Sequence, residues 1–205
     1  IIQFFFSIVF IYLTFSKIEL DSLVTILKES NLLLFSLSPI LYFISQIISS
    51  ERLRNLLKVN GFKLSFMENG KLYLIGMFYN FFIPGGIGGD LYKTFFLKKF
   101  YNWKVKQTIS IIIQDRLIGL GVLLMLIIFL ENGLILNINY SIKFLSVFII
   151  YFMGLNLVKL IFRDNTGYSK TFLLSIIVHF FQFLSIITII FALGINTYIL
   201  EILSV

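Results

Sequence analysis

Residues 80–93 read Asn80-Phe-Phe-Ile-Pro84-Gly85-Gly86-Ile-Gly88-Gly89-Asp90-Leu-Tyr-Lys93, with four glycines within five positions of a proline in an otherwise strongly apolar chain. Pro84 removes a backbone donor and its ring clashes with the preceding turn, while glycine reaches conformations closed to other residues. A helix therefore breaks here. Within a bilayer the freed N–H and C=O groups must be buried in protein or line a wet cavity, so broken backbone at membrane depth points to a binding site. Asp90 stands where an N-cap would stand, ahead of a fresh helical run over residues 91–101.

The membrane setting follows from composition. The chain has 205 residues, 59% hydrophobic and 13% charged, and a mean hydropathy of +0.97; soluble domains carry about 25% charged residues. This is the composition of an all-α, polytopic integral membrane protein. The absence of cysteine excludes disulfides, thiolate metal sites and cysteine nucleophiles. The net charge of +7 comes from basic residues beside apolar runs, where anionic lipid head groups and membrane orientation account for them, and no nucleic-acid partner is expected.

Taken in order, the apolar runs predict spans over residues 1–15, 32–49, 108–130, 142–162 and 171–193. Residues 17–31, with mixed charge and leucines at helical spacing, suit an interfacial helix. The run ahead of the glycines, residues 72–83, would reach only about 18 Å as a helix, short of the roughly 30 Å hydrocarbon core. Basic segments flank it on both sides. The positive-inside rule therefore predicts a re-entrant hairpin over residues 72–101 with the glycines at its tip and both flanks cytoplasmic. Segments 51–71, 93–106 and 159–170 together hold thirteen of the seventeen basic residues, which sets the N-terminus in the cytoplasm. The chain opens without Met and reads as incomplete at both ends. The run from Gly194 loosely matches that from Gly61, as if a second broken-helix unit of an inverted repeat were beginning.

The glycine run admits two readings. Successive N–H groups at a helix N-terminus cradle a phosphate, or the glycines, with Gly85 and Gly89 at small-xxx-small spacing, serve a tight turn and close helix packing. Asp90 meets an amine, a proton or Arg116, or is a plain cap. Asp115 and Arg116 lie well inside a span, where ionised groups are costly and by default functional, although a structural buried pair is the alternative. Neighbours on a helix point about 100° apart, so these two are not expected to pair with each other. His179 is the single histidine, which suits a buried, hydrogen-bonded imidazole better than a metal ligand. No Walker motif and no dinucleotide fingerprint is present, and no cofactor is expected.

The run Pro84-Gly85-Gly86-Ile87-Gly88-Gly89-Asp90-Leu91-Tyr92-Lys93, followed by Gln114-Asp115-Arg116-Leu117, resembles the lysylphosphatidylglycerol synthase transmembrane (flippase-like) family. Its members usually carry Pro-Gly-Gly-x-Gly-Gly-Asp-x-x-Arg and then Glu-Arg-Leu on the next helix. Lys93 stands in place of the usual Arg and Asp115 in place of the usual Glu, both with charge kept. The resemblance implies translocation of a phospholipid or lipid-linked head group across the plasma membrane, with Asn80, Pro84, Gly85, Gly86, Gly88, Gly89, Asp90, Lys93, Asp115 and Arg116 lining the substrate site. It also implies a second glycine-rich re-entrant segment further along the chain. The rival readings are the membrane part of a lipid head-group transferase, working with a separately encoded soluble enzyme, and a scaffold subunit without a substrate. Membrane lipids are the expected partners, and a homo-oligomer is compatible with the sequence.

Overall fold

Each apolar run among the described residues folds as a helix, because a backbone without water must satisfy its own hydrogen bonds. A computed structural model describes residues 20–80, 86–130, 139–162 and 167–195. Among these residues there are seven helices and no strand: α1 Leu20–Glu29, α2 Leu32–Val59, α3 Phe66–Asn80, α4 Gly88–Tyr101, α5 Val105–Leu130, α6 Tyr140–Phe162 and α7 Tyr168–Ala192. Four of them, α2, α5, α6 and α7, are long and apolar enough to cross a membrane. The expected span over residues 1–15 and the possible second unit beyond residue 195 lie outside the described residues.

The spine is the antiparallel pair of α2 and α7, joined along its whole length by neutral polar groups. The Asn31 N–H donates to Ala192 O at one end, the Ser38 and Ser185 hydroxyls lie 2.8 Å apart, and Asn55 Nδ2 donates to Thr171 Oγ1 at the other end. Asn31 also caps α2, its side chain accepting from the amides of Leu33 and Leu34. The sequence places the end of this span at Ser49, but α2 runs on to Val59. Leu53, Leu56 and Leu57 are buried on its continued face, and Arg52 is held inside the protein instead of reaching into a flanking segment.

Gly61 and Gly194 stand at two helix ends of the same form. Both adopt positive φ just after a helix. The Phe62 N–H reaches back to Leu57 O and the Ile195 N–H to Ile190 O, the six-residue closure of a Schellman stop. Among the described residues the two stretches share the same kind of helix stop.

α3 and α4 form an antiparallel hairpin of 15 and 14 residues, each about 22 Å long and too short to cross alone. Its base is tied by Tyr101 Oη, which donates to Glu68 Oε1. Tyr79 and Tyr92 stack further up, with centroids 4.7 Å apart. Near the tip a Cβ on Gly89 would collide with Gly76 O, and one on Gly76 would sit 2.9 Å from Lys93 Cε. Glycines at both positions let the two helices touch. Phe62, Tyr101 and Trp103 pack around buried leucines where the base of the hairpin meets the ends of α2 and α5.

Candidate functional site

Between α2 and α5 and the hairpin lies a cavity of about 410 Å³, with Tyr42, Gln46 and Arg52 on one side, Tyr73 and Asn80 on α3, Asp90 and Lys93 on α4, and Asp115 and Arg116 on α5. Three cations and two carboxylates therefore meet in one space. Five of the ten residues expected from sequence, Asn80, Asp90, Lys93, Asp115 and Arg116, line it.

The charges sort into two groups. Deep in the bundle, Arg52 grips Asp115 with both arms of its fork, Nε to Oδ1 at 2.8 Å and Nη2 to Oδ2 at 2.9 Å. Its remaining nitrogen, Nη1, donates to Ser175 Oγ on α7 at 3.0 Å. A Cβ on Gly119 would lie 2.9 Å from Arg52 Nη1, so the bare glycine makes room for the guanidinium. At the hairpin, Arg116 Nε lies 2.5 Å from Asp90 Oδ2, and Arg116 Nη2 donates to Gly86 O at 2.7 Å. Lys93 Nζ approaches the other Asp90 oxygen at 3.7 Å and sits 4.4 Å above the Tyr73 ring. Asp115 and Arg116 thus do not pair with each other, as their angular separation on the helix requires.

The start of α4 is tied into the hairpin through its own first amides. α4 starts at Gly88, with Ile87 in the cap position and no side-chain cap of its own. Asn80, nine residues back on α3, supplies the missing acceptor: its Oδ1 takes the Gly89 N–H at 2.7 Å. Asp90 is therefore not the N-cap. Its own N–H and that of Leu91 close onto Ile87 O within the first turn, which frees the carboxylate to turn towards Arg116. The amides of Gly89, Asp90 and Leu91 are thus engaged, and what the run offers to Arg116 is a carbonyl. Gly86 presents it from a φ of +66°, a conformation that favours glycine. Gly88 and Gly89 are buried and shape the hairpin without lining the cavity. Pro84 and Gly85 lie outside the described residues.

Sequence reasoning missed Arg52, assigning it to a basic flank. The signal was present: Ser38, Ser45, Ser49 and Arg52 recur at spacings of seven, four and three, the stripe of one helix face. All four are buried. His179 is hydrogen-bonded within the bundle as expected but only half-buried, with Nε2 3.1 Å from Gly119 O and Nδ1 3.0 Å from Gln182 Oε1. No group of three or more His, Cys, Asp or Glu side chains suited to a metal occurs among the described residues.

The family described as lysylphosphatidylglycerol synthase TM region matches residues 1–162. UPF0104 membrane protein MJ1595 of Methanocaldococcus jannaschii is 22% identical over 162 residues, covering 78% of this chain and 48% of that protein. The chain thus spans about half the length of this curated relative. No solved structure matches. The match takes in the glycine run, the hairpin and the Asp115-Arg116 pair. The protein is an integral membrane protein, and it belongs to the lysylphosphatidylglycerol synthase TM region family.

Proposed function

We propose that the cavity binds the anionic head group of a phospholipid or lipid-linked substrate and passes it across the membrane. The observation that carries this reading is the cluster at the hairpin: one carboxylate, Asp90, is shared between Arg116 and Lys93. This leaves an excess positive charge facing open space. A head-group phosphate exchanges with Asp90 for Arg116, whose planar fork matches two phosphate oxygens. Lys93 follows as a point charge. Arg52 and Asp115 form the rigid back wall, and Asn80 holds the start of α4 in register. A cavity of this size also argues against a scaffold that carries no substrate.

In this reading α3 and α4 enter from the cytoplasm and return. Arg116, eleven residues into α5, lies about 16 Å from that end of the helix, near the depth of the hairpin tip. Single cysteines at Lys63 and Asn102 are then labelled from the cytoplasmic side only, and one at Asn137 from outside. Opposite-side labelling of the first two would make α3 a crossing and remove the hairpin.

The functional test is movement of a fluorescent anionic phospholipid between leaflets of proteoliposomes. Arg116→Leu is expected to abolish movement, and Arg116→Lys to slow it at least tenfold, with folded protein verified by gel filtration. Wild-type movement in Arg116→Leu would refute the site. A second reading, the membrane part of a lipid head-group transferase, is favoured by the family's description as a synthase region. Modified lipid formed by the purified protein from an activated donor would decide for it.

A further inference from the structure

A second cavity, of about 250 Å³, runs between α2 and α3 and is walled by apolar side chains including Phe43, Ile47, Met67 and Leu74. Its contents are the reverse of the charged cavity's, yet the two share a wall. Gln46 and Tyr73 line both. The Tyr73 ring carries the Lys93 ammonium over one face and also borders the apolar groove, so charged and greasy spaces lie a single aromatic ring apart. The groove follows α3 for about two turns, roughly 10 Å. Its walls face outward, with Phe43 51% and Met67 69% exposed, and in a bilayer such faces meet lipid. Its floor is opened by Gly70, where an added Cβ would meet no atom within 4 Å.

We propose that this groove seats an acyl chain of the lipid whose head group occupies the charged cavity, so that the substrate enters sideways between α2 and α3. The inference rests on the head-group reading above and names the class of substrate: a lipid whose chain remains beside α2 and α3 while its phosphate is held past Tyr73. An amphipathic molecule is the one kind of ligand that satisfies both spaces at once. The apolar groove between α5, α6 and α7 is larger, about 350 Å³, but shares no lining residue with the charged cavity. It does not serve the same molecule.

The test fills the groove. Gly70→Phe projects a ring into the open floor, and Gly70→Ala, which adds only an unopposed methyl, is the folding control. In proteoliposomes Gly70→Phe is expected to slow movement of a labelled diacyl phosphatidylglycerol at least tenfold. Its affinity for glycerophosphoglycerol, the same head group without chains, stays within twofold of wild type. Unimpaired movement in Gly70→Phe, with movement lost in Arg116→Leu, would overturn the groove and leave the head-group site standing. Unimpaired movement in both would overturn the head-group reading and the groove with it. A measurement on unaltered protein does not depend on the variant folding: phosphatidylglycerol carrying a photoactivatable group on its chain should mark α2 and α3 residues, and unlabelled lipid should compete. Marking spread equally over α6, with no competition, would refute the proposal.

Discussion

Asp115 and Arg116 are neighbours on α5, yet they belong to regions of opposite character. Asp115 joins the deep wall, where Arg52 holds both its oxygens and Ser175 ties the assembly to the α2–α7 spine. Both side chains of that pair are about nine-tenths buried, 10% and 11% exposed. Arg116 reaches to the hairpin, where it is 49% exposed and its partner Asp90 18%. One pair is nearly buried at the back of the cavity and the other stands far more open to it. A buried pair with its hydrogen bonds satisfied fixes geometry, because separating it strands a charge in a medium of low dielectric. A half-exposed pair in a cavity open to water costs little to exchange. The wall is therefore the costlier pair to open, and the hairpin pair the cheaper one to exchange.

The largest expected effect lies in the wall. Arg52→Leu leaves the Asp115 carboxylate buried without a counterion and is expected to destabilise the protein by about 3–5 kcal/mol, read as a drop in the unfolding midpoint in detergent. Replacing both partners, Arg52→Leu with Asp115→Leu, should recover most of that loss, because no charge is then stranded. If the double variant is as unstable as the single one, the wall depends on something other than its charge pair. By the same comparison Arg116→Leu should change stability by only about 0–1 kcal/mol, although it is expected to abolish lipid movement. Equal losses of stability in the two arginine variants would erase the distinction.

Much of this arrangement was legible in the sequence, and what was hidden has a common cause. Helix positions follow from runs of apolar residues, and the break between α3 and α4 follows from proline and glycine chemistry, both of which are local. The placement of charge at Asp115 and Arg116 inside the membrane follows from their depth along a span. The choice of partner is not local: it depends on how α2, α4 and α5 are rotated about their axes, which the packing of the whole bundle decides. Asp90 looks like a cap when α4 is read alone, and only the return of α3 brings Asn80 to the Gly89 amide. Arg52 looks like a flank because basic residues follow it, whereas the buried serine stripe behind it marks the face that turns inward.

The smallest expected effect lies at the far end of the hairpin and tests whether its base, like the wall, is a fixed element. Ser65 and Glu68 form a capping box at the start of α3: the Ser65 N–H donates to Glu68 Oε2 at 2.9 Å, and the Glu68 N–H donates to Ser65 Oγ at 3.2 Å. Tyr101 adds its hydroxyl to the other carboxylate oxygen and so ties the last residue of α4 to the first turn of α3. These bonds, that with the Ser65 side chain foremost, hold the Glu68 carboxyl below the usual carboxylate range. The carboxylate is favoured in the folded protein more than in the unfolded chain, so its contribution is complete above the unfolded pKa of about 4.3. It is lost as pH falls below that value through the folded one. Glu68 is exposed, so the contribution is small. Wild-type protein should therefore melt slightly above Glu68→Gln at pH 7, and the two curves should converge as the pH is lowered below about 4. Tyr101→Phe should show part of the same convergence. A gap between wild type and Glu68→Gln that stays constant from pH 7 to pH 3 would mean that the ionised carboxylate does not hold the base.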